Sequence, residues 1–172
     1  LYLRGILKKS QKNYNEAKLI FKKCLEINKK FVHAYIALAS IYKIEDNFNE
    51  CINLLDKVIS IDSDNSKAIL ELGIIYSHLG EVKKGISLLK KSLEIDPFNH
   101  ETKFNLGQMQ IYNKDFKEGW SNFESRWHYH NFKVIPFKSS KKMLKNLEEA
   151  NNVFIWDEQG IGDQIMYGSI FS

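Results

Sequence analysis

The sequence predicts an all-α fold, an α-solenoid of stacked helix pairs, followed by the first strand and helix of a truncated α/β domain. Three observations predict it. Gly5, Ala39, Gly73 and Gly107 recur every 34 residues, and a fixed period of that length marks a repeat array. Apolar residues within each period, such as Tyr35, Leu38, Ile41 and Tyr42 or Leu54, Leu55, Val58 and Ile59, fall at helical spacing. Turn-favouring or polar pairs, Asp46-Asn47, Gly80-Glu81 and Lys114-Asp115, separate the two apolar stretches of a period.

Each element follows from these positions. The first helix of a period carries the small residue Gly5, Ala39, Gly73 or Gly107. The second carries its own small series, Ala17, Cys51, Gly85 and Gly119, and a large apolar series, Phe21, Leu55, Leu89 and Phe123. Small residues let two helix backbones cross closely, and the large ones fill the space beside the crossing. Tyr14, Phe48, Val82 and Phe116 keep the period at the start of the second helix, as do Ile27, Ile61 and Ile95 at its end. Pro97, just after Ile95-Asp96, stops the third period. Neither helix of a pair buries its apolar stripe alone, so successive pairs must stack. In the fourth period Trp120, Phe123 and Trp127 stand three and four apart, which predicts one apolar face on a single helix.

The pattern resembles the tetratricopeptide repeat, with Tyr35, Leu38, Ala39, Tyr42, Cys51 and Leu55 in the second copy and Ile69, Leu72, Gly73, Tyr76, Gly85, Leu89 and Pro97 in the third. The resemblance covers residues 1–128, about four repeats with the first incomplete, and implies a right-handed superhelix. It also implies a groove lined by the first helices. By register, that groove takes Tyr2, Ile36, Leu70 and Phe104, with Ile6, Ser40, Ile74 and Gln108 one turn on. This lining is apolar and aromatic and lacks the Lys and Asn of repeats that clamp a peptide's C-terminal carboxylate. The asparagine ladder of the protein O-GlcNAc transferases is also missing, since Leu3, Ala37, Glu71 and Asn105 stand at its positions. The implied occupant is a protein or peptide segment, or another part of the same protein.

Composition excludes several classes. The chain is 44% hydrophobic and 27% charged, in the range of a globular rather than a disordered chain. Its net charge of +4 is spread over lysine pairs interrupted by acids, with only Arg4 and Arg126 as arginines. Nucleic-acid binding needs a concentrated basic stripe, so none is expected. No run approaches the ~18 apolar residues of a membrane helix. Cys24 and Cys51 fall at packing positions and are expected to be buried thiols. His128 and His130 have no third ligand at metal spacing, so no metal site and no cofactor are expected. A cytoplasmic location is expected. The chain begins at Leu1, inside the first helix by register, so upstream repeats and a targeting segment remain open.

Residues 129–150 lose the period. Pro136 and Ser139-Ser140-Lys141-Lys142 predict a capping or linker segment. Residues 151–172 change character: Asn152-Val153-Phe154-Ile155-Trp156 suits a buried strand, and Ile165, Met166, Tyr167, Ile170 and Phe171 follow with helical period. Between them stands Glu158-Gln159-Gly160-Ile161-Gly162-Asp163. Strand, glycine turn and helix open a nucleotide- or sugar-binding domain, although the third glycine of the dinucleotide fingerprint is missing.

This motif, preceded by Lys114-Asp115-Phe116-Lys117-Glu118-Gly119-Trp120 and Glu124-Ser125-Arg126-Trp127, resembles bacterial tetratricopeptide proteins fused to a glycosyltransferase domain similar to the lipopolysaccharide heptosyltransferases. The resemblance implies that Asp163 is the general base for the acceptor hydroxyl, with Glu158, Gly160 and Gly162 in the acceptor loop. Asp163 also suits a helix cap. The chain ends at Ser172, and one strand and one helix build no parallel sheet. A nucleotide-sugar is therefore expected to bind only a full-length protein. The 172-residue chain is expected to serve as an interaction scaffold without transferase activity. The alternative is a self-standing peptide-binding scaffold with no catalytic role.

Overall fold

The chain divides into two units, Leu1–Tyr129 and His130–Ser172. A computed structural model describes residues 1–128. The described residues form eight α-helices: α1 Tyr2–Ser10, α2 Tyr14–Ile27, α3 Val32–Ile44, α4 Phe48–Ile61, α5 Ser66–His78, α6 Val82–Ile95, α7 His100–Tyr112 and α8 Phe116–Phe123. A 3₁₀ turn, Glu124–His128, follows. The helices pair as α1–α2, α3–α4, α5–α6 and α7–α8. Each second helix also packs on the next first helix, and α1 meets α3 as α5 meets α7. The all-α solenoid is therefore present; the expected strand over residues 152–156 and the helix after it lie outside the described residues.

One turn design joins the two helices of every pair. Lys12, Asp46, Gly80 and Lys114, again one period apart, all have positive φ, at 59°, 55°, 83° and 67°. In each turn that residue's N–H and the next one's bond back to the helix just ended. Lys12 N reaches Lys9 O at 2.9 Å and Asn13 N reaches Lys8 O at 2.9 Å; Lys114 and Asp115 repeat this with Ile111 and Gln110. The pattern satisfies carbonyls that the helix end leaves open, and it requires a left-handed residue, which glycine adopts most cheaply. A side chain in this conformation costs roughly 1–2 kcal/mol, partly offset by glycine's greater unfolded entropy. Lys114→Gly should therefore stabilise the array by about 0.5 kcal/mol. Gly80→Ala should cost about 1 kcal/mol, although no atom lies within 4 Å of the added Cβ. Urea midpoints of the two variants check both signs.

Asparagines start four of the helices. Asn13 and Asn47 accept from the N–H of Glu16 and Glu50, both at 3.3 Å, opening α2 and α4. Asn65 and Asn99 accept from Ala68 at 3.0 Å and Thr102 at 2.9 Å, opening α5 and α7. Each satisfies one of the donors that a helix start leaves without a partner.

The largest group of buried residues joins α2 through α5, with Phe21, Ile41, Leu55, Val58, Leu72 and Ile75 at its centre. A second unites Leu70, Leu89 and Leu106 across α5, α6 and α7. Cys24 and Cys51 are buried free thiols, as expected. The small-residue register Ala34, Ala68 and Thr102 is fully buried. At its last position, however, the Thr102 hydroxyl has no hydrogen-bond partner. An orphaned buried hydroxyl costs about 1 kcal/mol or more, so Thr102→Val should stabilise the array by about 1 kcal/mol, read as a shift in melting temperature.

The fourth pair departs from expectation. α8 ends at Phe123, so Trp120, Phe123 and Trp127 do not share one α-helical face. Trp120 packs edge-on against Phe123 at 5.6 Å, while the Trp127 indole N–H donates to Glu124 at 3.1 Å. The physical reason for the break lies at Arg126. It is buried, its guanidinium sits 4.9 Å from the Phe123 ring and 4.6 Å from Trp127, and it donates to Glu124 at 2.7 Å. The tighter turn brings these groups together.

Candidate functional site: the first-helix face

The first helices of the pairs present one face, and two recesses open on it. The smaller lies between α3 and α5, lined by Ile36, Ala39, Ser40, Lys43 and Glu71 over Cys51 and Leu55. The larger, about 230 Å³, lies between α5 and α7. Ile74, Ser77 and His78 line one side of it, Asn105, Gln108 and Met109 the other, and Leu89 of α6 its floor. Crossing distance explains why these openings exist. Ala39 and Gly73 bring each first helix close to its own second helix, so gaps fall between one pair and the next.

Charge concentrates at the smaller recess. Lys9 Nζ donates to Ser40 Oγ at 2.5 Å, and Ser40 Oγ donates to the Ala37 carbonyl at 2.7 Å. Lys43 Nζ bonds to Glu71 Oε2 at 2.5 Å. Burial holds the Lys9 ammonium below its ordinary pKa. The positive charges of Lys67 and Lys43 lower it further, and Glu71 partly opposes them. Burial, with help from Glu71, pushes the Cys51 thiol up to about 11. Its sulfur lies 3.2 Å from the Ala39 carbonyl, so it is a packed thiol and no nucleophile.

The register-predicted groove residues divide into two sets. Ile36 and Ser40 line the smaller recess, and Ile74 and Gln108 line the larger. Leu70 and Phe104 do not line the face: they are only 3% and 8% exposed. Leu70 packs with Leu89 and Leu106, and Phe104 stacks its ring 5.2 Å from Phe123. Tyr2 is half-buried in an aromatic group with Phe21, Phe31 and His33 at 5.1 to 6.3 Å. Ile6 is partly exposed on α1. The face is therefore less apolar than the register implied.

Sequence reasoning missed Lys9, Lys43, His78 and Met109, and took Glu71 only as a missing asparagine of the ladder. Lys9 and Lys43 stand one period apart, a signal available in the sequence. The Glu71 pairing had no such signal, because it links different register positions on α3 and α5. His78 stacks flat on Phe48, 6.4 Å away.

Asp163, Glu158, Gly160 and Gly162 lie outside the described residues. Among the described residues no group of three His, Cys, Asp or Glu is placed to hold a metal, and no helix is long and apolar enough to cross a membrane.

Residues 1–31, 32–65 and 66–99 match the tetratricopeptide repeat family in three successive copies. The chain belongs to this family, and α7–α8 adds a fourth helix pair beyond the matched copies. Among solved structures it is similar to MamA of Desulfovibrio magneticus RS-1, with TM-score 0.63 at 22% identity, covering 72% of this chain and 70% of MamA. It is similar to PilF of Pseudomonas aeruginosa, with TM-score 0.66 at 20% identity, covering 72% of this chain and 56% of PilF. The first repeat domain of Spaghetti (RPAP3), solved with the HSP90 peptide SRMEEVD, gives TM-score 0.61 at 18% identity, covering 64% of this chain and 88% of that one. At these identities the likeness is one of fold. No curated protein matches the chain significantly.

Proposed function

We infer that the chain is a protein-interaction module whose first-helix face holds a peptide or protein segment, and that it forms the N-terminal part of a bacterial-type glycosyltransferase. The observation that carries the interaction role is the 230 Å³ pocket between α5 and α7. It is smaller than ordinary small-molecule sites, which run about 300–1,000 Å³, and suits one anchoring side chain of a longer segment. Apolar Ile74 and Met109 with polar Asn105 and Gln108 at the rim match that use. A repeat domain of the same fold, that of Spaghetti, was solved with a bound peptide, which supports this use of the face.

The catalytic part rests on the motif order ending in Glu158-Gln159-Gly160-Ile161-Gly162-Asp163. In this proposal, residues 1–128 are the interaction array, 129–150 a linker and 151–172 the opening of the sugar-transfer domain. The Asp163 carboxylate accepts the proton of an attacking acceptor hydroxyl, and Glu158, Gly160 and Gly162 shape the acceptor loop. The test uses the product of the complete reading frame. Donor-dependent release of nucleoside diphosphate should fall about 10²–10⁴-fold in Asp163→Ala, the range typical of losing a general base. Peptide binding should be unchanged. Full transfer by Asp163→Ala removes the catalytic assignment; an active wild type is required for the glycosyltransferase role itself. Peptide binding without any transfer leaves the second reading, a self-standing scaffold, which the pocket supports equally.

A further inference from the structure

We propose that His100 and His128 together bind a zinc ion, a clip between the start of α7 and the turn that follows α8. The two residues are far apart in the chain, and the fold sets their ring centres 4.8 Å apart with the planes inclined by 36°. Zinc holds imidazole nitrogens at about 2.0–2.1 Å in a tetrahedral arrangement, which puts the centres of two coordinated rings roughly 5 Å apart. The observed separation fits two ligands of one ion. A neutral imidazole offers one nitrogen lone pair to a metal. Zinc suits that donor, whereas magnesium and calcium take oxygen.

Both ligands stand on backbone that is already fixed. His100 is the first residue of α7. The Asn99 cap before it accepts from the Thr102 N–H at 2.9 Å and donates to Asp96 at 3.1 Å. His128 ends the 3₁₀ turn, in which Arg126 and Trp127 both donate to Glu124. The same tight turn that replaces the end of α8 carries His128 to His100.

Packing does not account for the pair. Both residues are exposed. Earlier copies hold Val32 and Ser66 at the register of His100, and Glu26, Ser60 and Glu94 at that of His128. Stacking of the helix pairs therefore needs no imidazole at either place, and the fourth copy alone carries one at both. The nearest cations in the chain do not oppose a metal ion. Arg126 is bonded to Glu124 and lies over Phe123 and Trp127, while Lys103 lies over the Phe98 ring. Among the described residues no group of three ligands forms, so water fills the remaining positions. An ion held only by the folded pair stabilises it by mass action, which makes zinc a fastener for the fourth helix pair.

The test is calorimetric titration of zinc chloride into the untagged 172-residue chain, with His100→Ser, His128→Ser and His130→Ser alongside. His130 lies outside the described residues and is the sequence-adjacent rival for His128. Serine already stands at the first two registers in other copies, as Ser66 and Ser60, and circular dichroism checks that each variant is folded. Losing even a group that only supports a ligand costs about 10–100-fold in metal affinity, so His100→Ser and His128→Ser should each weaken zinc at least about tenfold. Zinc should raise the urea midpoint of the parent chain and leave that of His100→Ser unmoved. A second arm needs no variant. Zinc should protect His100 and His128, and not His33 or His78, from acylation by diethyl pyrocarbonate, read by mass spectrometry. Absence of zinc binding, an affinity unchanged in His100→Ser, or protection confined to His128 and His130 overturns the proposal.

Discussion

Gly107→Ala should destabilise the fourth helix pair by about 3 kcal/mol, the upper part of the range for forcing atoms into a packed interior. A Cβ built on Gly107 would lie 2.5 Å from the backbone nitrogen of Phe123 and 2.8 Å from the Gly119 carbonyl oxygen. Both obstacles are main chain, so no rotamer change makes room, and α7 and α8 must separate. The same substitution in another pair meets a softer neighbour. At Gly5 the obstacle is the Phe21 ring, and at Gly73 it begins with the Leu89 side chain. Ala39 already stands at this register in α3, buried with 2% exposure, so the restriction belongs to the individual crossing. Because a repeat array unfolds piecewise, the loss should appear first at the C-terminal end. Trp120 and Trp127 lie there. In urea the fluorescence transition of Gly107→Ala should move to lower concentration than the far-ultraviolet circular dichroism transition. Coincident, unshifted transitions would mean that α7 and α8 tolerate a wider crossing. Gln108→Ala, on the exposed side of the same helix, serves as the control and should change stability by less than about 0.5 kcal/mol.

Leu89→Ala should cost about 3 kcal/mol, within the roughly 2–5 kcal/mol of large-to-small substitutions in a core. Leu89 has no exposed surface, packs with Leu70 and Leu106 and faces the helix crossing at Gly73. It also forms the floor of the groove pocket. The vacated space therefore opens onto the binding face, and the variant should lose affinity for an apolar anchor as well as stability. Leu89→Met, nearly volume-conserving, should cost less than about 1.5 kcal/mol and restore the affinity. A chemical melt and a peptide titration together check this; a Leu89→Ala chain that melts like the parent would remove Leu89 from the core.

Much of the array was legible from residue spacing. The periodic small residues located the helix crossings, and the polar pairs located the turns. Pro97 marked the end of α6, which stops at Ile95. These features are local or strictly periodic, and each copy repeats the same backbone requirement. The turns show the limit of composition. Lys12 and Lys114 carry the same left-handed backbone as Gly80, because the two bonds back to the preceding helix outweigh the cost of a side chain there.

The candidate site was legible only in part. Register put Ile36, Ser40, Ile74 and Gln108 along the face, where they line the two recesses, and put Leu70 and Phe104 there as well, which are buried. Those two turn inward because a residue's exposure depends on how far neighbouring pairs separate, which differs from copy to copy. The buried amide of Gln110 shows the same thing. It donates to Glu118 at 2.9 Å and accepts from Asn122 at 2.7 Å across α7 and α8, at the register where Lys8 pairs with Glu16 and Lys84 lies over Tyr76 in other copies, so the contact recurs while its chemistry changes.

The sequence by itself therefore determined the helix pairs, their period, their close crossings and membership of a stacked array, because each depends on residues near in the chain or one period apart. The folded array decided which residues of the first helices reach solvent, that Lys9 meets Ser40 and Lys43 meets Glu71 across successive pairs, and that a pocket opens between α5 and α7. Those outcomes depend on distances between side chains of different pairs, and such distances exist only once the pairs have stacked.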